Sequence, residues 1–389
     1  MRTLYQKFEI LLRNTTTDFK RYLYEEISWE SRMVGIIGPR GVGKTTMILQ
    51  YIKENLGSRR ALYVSADDMY FGENKLVDLA DAFYKNAGEY LFIDEIHKYT
   101  DWSRELKNIY DSYPDLKVIF TGSSVLDIHK GSADLSRRAL IYKLQGLSFR
   151  EYLNFFHNHK IDTFSTEQIV NGKVSLTDIK HPLPLFNDYL QRGYYPFGIE
   201  NELNLRLGQI VVQTLETDIP QYANMSVATS RKLKRLLSII SESVPFKPNF
   251  SKIAEIINVS RNSLDDYFTF IEKAGLISQL RNETSGIRGL GKIDKVYLDN
   301  SNLIFSLAGE KSNIGNIRET FFLNQMRVRN EVISSKNADF VIKGYTFEVG
   351  GKNKQQKQIE NNGKSYIVKD DIEFGYMNII PLWTFGLNY

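Results

Sequence analysis

The 389-residue sequence contains no cysteine, which excludes disulfides, thiolate metal sites and cysteine nucleophiles together. Histidine is scarce as well. The five residues His97, His129, His157, His159 and His181 show no metal-ligand spacing, and His157 with His159 reads as a solvated pair. No run approaches the roughly 20 apolar residues of a membrane helix, and the N-terminus has no uninterrupted apolar stretch suited to a signal peptide. These absences point to a cytoplasmic protein without membrane contact. Charge of either sign is not in excess: a formal net charge of +4 is mild for this length and by itself says little about nucleic acid. Core material is abundant. Hydrophobic residues make up 42% of the chain, with 23 Tyr and 23 Phe, against 25% charged residues, which is the balance of a globular protein. The length suits two or three domains.

Residues 1 to 30 read as helical, with Phe8, Leu11 and Leu12 set among charges. Strand and helix signals then alternate. Strands are predicted at Met33 to Ile37, Ala61 to Val64, Tyr90 to Ile93, Lys117 to Thr121 and Arg138 to Leu144, with helices from the 44 region to Leu56, near Lys75 to Lys85, and near Trp102 to Tyr113. Short β-rich runs separated by helices indicate an α/β fold with a five-stranded parallel sheet covered on both faces. From Leu147 to about Ser226 the pattern turns helical, and Ser148 with Glu151 has the capping-box spacing. Residues 229 to 283 carry a helix-turn-helix rhythm through Ile253, Ile256, Ile257, a turn at Asn258-Val259-Ser260, then Leu264, Tyr267, Phe268 and Ile271. After Gly286, Gly289 and Gly291 a further composition begins, with strands predicted at Lys295 to Leu298, Ala338 to Ile342, Tyr345 to Val349 and Ser365 to Val368.

Gly38-Pro39-Arg40-Gly41-Val42-Gly43-Lys44-Thr45 is the full G-x-x-x-x-G-K-[ST] pattern, placed between an apolar strand and a helix that continues with Thr46. Glycines let the backbone curl so that successive N–H groups point at phosphate oxygens, and the helix N-terminus adds its positive end. Lys44 reaches the β- and γ-phosphates in this reading, and Thr45 places its hydroxyl on Mg²⁺. Tyr90-Leu91-Phe92-Ile93-Asp94-Glu95 is a buried strand ending in two carboxylates: Asp94 is expected to hold Mg²⁺ and Glu95 to polarise the attacking water. ATP and Mg²⁺ are the ligands this pair of motifs calls for. A complete strand between the two motifs, and a glutamate directly after the aspartate, favour the hydrolytic branch of P-loop proteins over the kinase and GTPase branch. Hydrolysis of ATP to ADP and phosphate is therefore expected. Ser123 is the first choice for a hydroxyl sensing the γ-phosphate, with Thr121 and Ser124 competing. Arg137 and Arg138 open the last strand, where one of them can act as an arginine finger for a neighbouring subunit, which implies a homo-oligomer in the ATP state.

With these motifs assembled, the chain resembles the bacterial and archaeal AAA-type ATPases that carry a winged-helix segment and a C-terminal restriction-endonuclease-like domain of unknown function. The marks are Gly38 to Thr46 with its arginine, Asp94-Glu95-Ile96-His97 followed by Trp102, Thr121-Gly122-Ser123-Ser124, and Leu147-Ser148-Phe149-Arg150-Glu151-Tyr152. The family's Gly-Arg before the last core strand aligns its arginine with Arg138, and Arg137 stands in place of the glycine. A Gly-Gly-aromatic-Pro turn of the lid stands here as Gly193-Tyr194-Tyr195-Pro196. The resemblance implies an ATPase core with its N-terminal helical segment over 1–146, a helical lid over 147–228, a winged helix over 229–283 and a restriction-endonuclease-like α/β domain over 284–389.

Two functions follow as expectations. In the leading one, the nucleotide state controls the C-terminal modules, with nucleic acid the target. In the alternative, the chain is a slow ATP-dependent signalling switch whose winged helix contacts protein. Residues 229 to 283 hold nine Lys/Arg against six Asp/Glu, yet the recognition helix carries Arg261 beside Asp265 and Asp266, and those acids would repel phosphate. In the last segment Glu319, Asp339 and Glu348 match the acidic skeleton of restriction-endonuclease-like folds. The water-positioning lysine that belongs two residues after the last acid is replaced by Gly350. Lys352 substitutes only if Gly350-Gly351 bends the chain back. A largely inactive domain, with Glu348 solvated or ion-paired, is expected.

Overall fold

The computed structural model describes residues 1–56, 60–123, 135, 137–176, 178–223, 225–242, 247–282, 292–308, 313–354 and 364–389. Ser124, His129, Glu283 and the glycines at 286, 289 and 291 lie outside them. The chain forms two compact units, Met1–Gln145 and Gly146–Tyr389.

In the first unit α1 spans Arg2–Asn14, ending well short of residue 30. Three consecutive threonines follow, Thr15 to Thr17, whose β-branched side chains are poor helix formers. Thr15 is already extended, and its Oγ1 donates back to the Leu11 carbonyl at 2.8 Å. Leu4 and Phe8 are the buried face of α1.

The sheet consists, among the described residues, of β1 (Met33–Gly38), β2 (Ala61–Ser65), β3 (Tyr90–Asp94), β4 (Lys117–Ser123) and β5 (Leu140–Lys143), in the order β2-β3-β4-β1-β5 with parallel pairings throughout. Every residue of β1 and β3 is buried, as expected for strands covered on both faces. β5 is an edge strand, largely exposed, and starts two residues later than predicted; Arg137 and Arg138 stand in the preceding turn. The helices are α2 (Lys44–Tyr51), continued by a π turn over Ile52–Leu56, α3 (Leu76–Lys85) and α4 (Trp102–Ser112). Because the strands run in one direction, the loops after β1, β3 and β4 emerge on one edge, where ligands bind in sheets of this kind.

The second unit opens with a helix Phe149–Phe156 whose capping box is complete: the Ser148 side chain accepts from Glu151 N, and the Glu151 carboxylate accepts from Ser148 N. Further helical turns run to residue 223. Gly193 is required here by packing, since a Cβ would lie 2.3 Å from the Tyr189 ring. Helices Val227–Glu242, Phe250–Ile257 and Arg261–Lys273 follow, the last two joined by a turn with Asn258 in the left-handed region. β6 (Ile277–Arg281) pairs antiparallel with β7 (Ile293–Leu298). The strand predicted at Lys295 to Leu298 therefore completes a hairpin with β6 and does not join the final sheet. After helices Ser301–Ala308 and Ile314–Met326 comes that sheet: β8 (Ile333–Ser334), β9 (Phe340–Ile342), β10 (Tyr345–Gly350), β11 (Ser365–Lys369) and β12 (Ile379–Pro381), neighbours in that order. β10, β11 and β12 are parallel, whereas β8 and β9 are antiparallel. β6, β8 and β12 were not predicted; β8 and β12 are two and three residues long, too short to carry a readable period of their own. No described helix is long and apolar enough to cross a membrane.

Candidate nucleotide site

β1 delivers the chain to Gly38, and the loop closes onto α2 through two glycines in the left-handed region, Gly41 at φ 78° and Gly43 at φ 94°. Only glycine takes such angles without strain. Gly38 is dictated differently: a Cβ there would lie 2.2 Å from the Leu144 carbonyl oxygen, because β5 leaves the sheet directly alongside, with Leu144 N bonded to Ile37 O. Arg21, buried and far upstream in sequence, clips the loop: its guanidinium donates to the Val42 carbonyl and, at 2.8 Å, to the Gln145 carbonyl. Lys44 is buried, with its ammonium donating to the Gly38 and Pro39 carbonyls at 2.8 Å each. Pro39 and Val42 are buried, whereas Gly41 and Thr46 face solvent.

The two motifs meet in space. Thr45 Oγ1 donates to Asp94 Oδ2 at 2.6 Å across a separation of 49 residues. Asp94 is buried and takes two more hydroxyls: Tyr63 donates to Oδ2 at 2.7 Å, and Thr121 donates to Oδ1. Thr121 Oγ1 also accepts from Glu95 N at 3.1 Å. Burial and the neighbouring Asp94 charge push the Tyr63 phenol well up, so it is a donor throughout the physiological range. Ser123, the hydroxyl favoured from sequence, is buried and pairs with Gly38 across the sheet. Thr121 is engaged by Asp94 and by the backbone of Glu95.

Glu95 follows the end of β3 in the left-handed region, φ 52° and ψ 39°. For a residue with a Cβ this costs roughly 1–2 kcal/mol, and it turns the side chain away from the course of the strand. Its carboxylate lies 3.6 Å from Arg40 Nη1 and 3.8 Å from His97 Nε2. Burial raises its pKa, while Arg40 acts in the opposite direction. Arg138 stands elsewhere, at the turn before β5. It bonds Asp111 through Nε at 3.0 Å and Nη2 at 3.1 Å, and its guanidinium lies 5.9 Å from the centroid of the Tyr110 ring. Arg137 is exposed.

The donor set fits the expected ligands. A positive-φ glycine loop at a helix start, a buried lysine and a hydroxyl beside a buried carboxylate make a cradle for phosphates and a hard, oxygen-only seat for Mg²⁺. Tyr63 and Arg21 were missed from sequence, where no motif marks them. The tyrosine supports a prediction. Tyr63→Phe keeps the ring, which lies 6.3 Å from Phe8 in α1, and removes only the hydroxyl on Asp94. Loss of such an outer partner costs about 10-fold or more in metal affinity or activity. A Mg²⁺ titration of nucleotide turnover should show that shift while the melting temperature changes little. An unchanged Mg²⁺ dependence would rule Tyr63 out of this role.

The acids of the second unit are held by lysines. Lys295 Nζ lies 2.9 Å from Asp339 Oδ1 and 3.1 Å from Glu319 Oε2; Tyr297 OH also donates to Glu319 at 2.7 Å, and Val349 N to Asp339 Oδ2 at 3.0 Å. Glu348 is ion-paired with Lys354 at 2.6 Å. Lys352, the lysine that could substitute only if the chain bent back, stands exposed in a turn, and the chain bends so that Lys354 lies over Gly350. Among the described residues no group of three His, Cys, Asp or Glu side chains is arranged to hold a metal.

A parallel sheet in this order, with a phosphate loop after β1 and paired acids after β3, defines a P-loop NTPase core. Residues 30–153 match the family model of an AAA domain. Residues 183–313 match a domain of unknown function. An uncharacterized protein of Methanocaldococcus jannaschii is 27% identical over 273 residues, an alignment that covers 64% of this chain and 57% of that protein. The chain thus spans little more than half the length of this relative. Among solved structures, the Hsp104–ADP complex of S. cerevisiae aligns at 15% identity and a TM-score of 0.30, over 69% of this chain and 39% of that one.

Proposed function

We propose that the protein binds ATP with Mg²⁺ and hydrolyses it to ADP and phosphate, and that its nucleotide state controls the second unit. The observation that carries this reading is the 2.6 Å bond from Thr45 to Asp94, which brings the phosphate loop and the metal-binding acid onto one site. Lys44 would neutralise phosphate charge, Thr45 and Asp94 would hold Mg²⁺, which would supply further neutralisation of the phosphates, and Glu95 would orient the attacking water. Ser123 senses the terminal phosphate, and the backbone of the Gly38 to Thr46 loop, Pro39 excepted, supplies N–H donors.

The elements over 227–298, three helices and a hairpin, support a winged helix. Its target is less suited to nucleic acid than composition suggests: Asp265 and Asp266 are exposed on the same helix as Arg261 and would face phosphates. This favours the second reading, a switch acting through protein contacts. The ion pairs of Lys295 and Lys354 support a restriction-endonuclease-like domain without cleavage activity, since ammonium groups already neutralise the acids a metal would need.

The test is Mg²⁺-dependent phosphate release by the full chain, measured alone and with duplex DNA, single-stranded DNA and RNA at low and high salt. Release that depends on Mg²⁺ is expected. Stimulation by a nucleic acid that fades as salt rises would restore the nucleic-acid target, and no release under any condition would sink the ATPase reading.

A further inference from the structure

The phosphate loop carries a cation that the nucleotide chemistry above leaves without a task. Arg40 is third in the loop, two residues beyond Gly38, and its guanidinium points across to the acid after β3, with Nη1 3.6 Å from Glu95 Oε2. Both side chains are mostly shielded, at 20% and 29% exposed. Glu95 is held there by its left-handed backbone. Resting on the nucleotide reading, we infer that Arg40 distinguishes ATP from ADP: it holds Glu95 when no terminal phosphate is bound and leaves it for that phosphate when one is.

The physical reason is a competition for one guanidinium. Glu95 offers a single negative charge. A terminal phosphate in the loop offers up to two, and Coulomb attraction at equal distance scales with that charge. The planar fork of arginine also matches two phosphate oxygens at once. ATP therefore takes Arg40, and Glu95 is released to orient water only when there is a phosphate to attack. ADP, lacking that group, leaves the Arg40–Glu95 pair in place. A lysine at this position would carry the charge without the fork, and an uncharged residue would carry neither.

The test is equilibrium affinity, free of turnover: dissociation constants of ADP and of the non-hydrolysable β,γ-imido analogue of ATP, by calorimetry with Mg²⁺. A charged hydrogen bond contributes about 1.5–3 kcal/mol, so Arg40→Gln should weaken the analogue about 10-fold or more and leave ADP nearly unchanged. Arg40→Lys should recover part of the loss. Glu95→Gln, which removes a competitor, should tighten the analogue and not ADP, and should do so less in the Arg40→Gln background, where no guanidinium is released. If ADP still binds and the analogue-to-ADP ratio is the same in wild type and Arg40→Gln, the inference fails and the nucleotide reading stands. Loss of both ligands in Arg40→Gln alone would also overturn it, since the arginine would then only hold the loop together. Wild-type protein that binds neither nucleotide would sink the nucleotide reading and this inference together.

Discussion

Lys44→Ala should abolish nucleotide binding or hydrolysis, whereas Glu95→Gln should keep ATP bound and stop its cleavage. The two residues stand on the same edge of the sheet and carry different tasks. Lys44 is buried and its ammonium is already aimed at the loop mouth by the Gly38 and Pro39 carbonyls. Removing that cation deletes a charged contact of about 1.5–3 kcal/mol and leaves phosphate charge uncompensated. The Glu95 carboxylate faces Arg40 and His97, while the Thr45 hydroxyl bonds Asp94. The amide of Glu95→Gln would leave the metal and phosphate contacts intact while ending the capacity to polarise water, a step that contributes about 10²–10⁴ in rate. Calorimetric binding beside single-turnover phosphate release separates the two outcomes. Turnover in Glu95→Gln comparable to wild type would remove Glu95 from the catalytic role.

Arg138→Ala should leave ATP affinity nearly unchanged and cut turnover by about 10³ to 10⁵, the contribution of arginine fingers. The register explains why this arginine cannot serve its own site. Leu140, where β5 begins, pairs with Val34, four positions before Gly38. At roughly 3.3 Å per residue that is about 13 Å below the loop, and Arg138 precedes Leu140. It therefore stands toward the opposite edge of the sheet from its own loop, and any catalytic role it has would be on the site of a second copy. Its bonds to Asp111 do not forbid this, because partly exposed ion pairs contribute only about 0–1 kcal/mol. Mixing gives the decisive measurement. Inactive Arg138→Ala and inactive Lys44→Ala protein should recover activity when combined, since a mixed interface can hold one intact site. Complete failure at concentrations that form oligomers would argue against a shared site.

Where the sequence reading and the structure part, the causes are physical and local. The helix expected to continue through residue 30 stops at Asn14, because the threonine run overrides the apolar spacing beyond it. Residues 295 to 298 do form a strand, yet propensity does not name a partner. β6 takes them as a hairpin, and this carries Lys295 to Glu319 and Asp339. A bend after Gly350-Gly351 was the condition for Lys352 to reach the acids; the turn there delivers Lys354 to Glu348 instead.

The linear chain was enough to determine the phosphate loop, the acids after β3, the alternation that makes a parallel sheet, and the Ser148–Glu151 cap. Each is a short-range pattern in which backbone geometry demands a residue type at a fixed spacing. Glycine at positive φ, carboxylates at a strand end and Ser-x-x-Glu at a helix start are such demands. Only the tertiary structure decided that Tyr63 and Thr121 share Asp94, that Arg21 clips the loop, that Arg40 faces Glu95 and that lysines occupy the acids of the second unit. Those contacts cross 21 residues or more in the case of Arg21, Tyr63 and Thr121. They depend on which strands become neighbours and in what register, and long-range pairing of that kind leaves no spacing in the sequence to read.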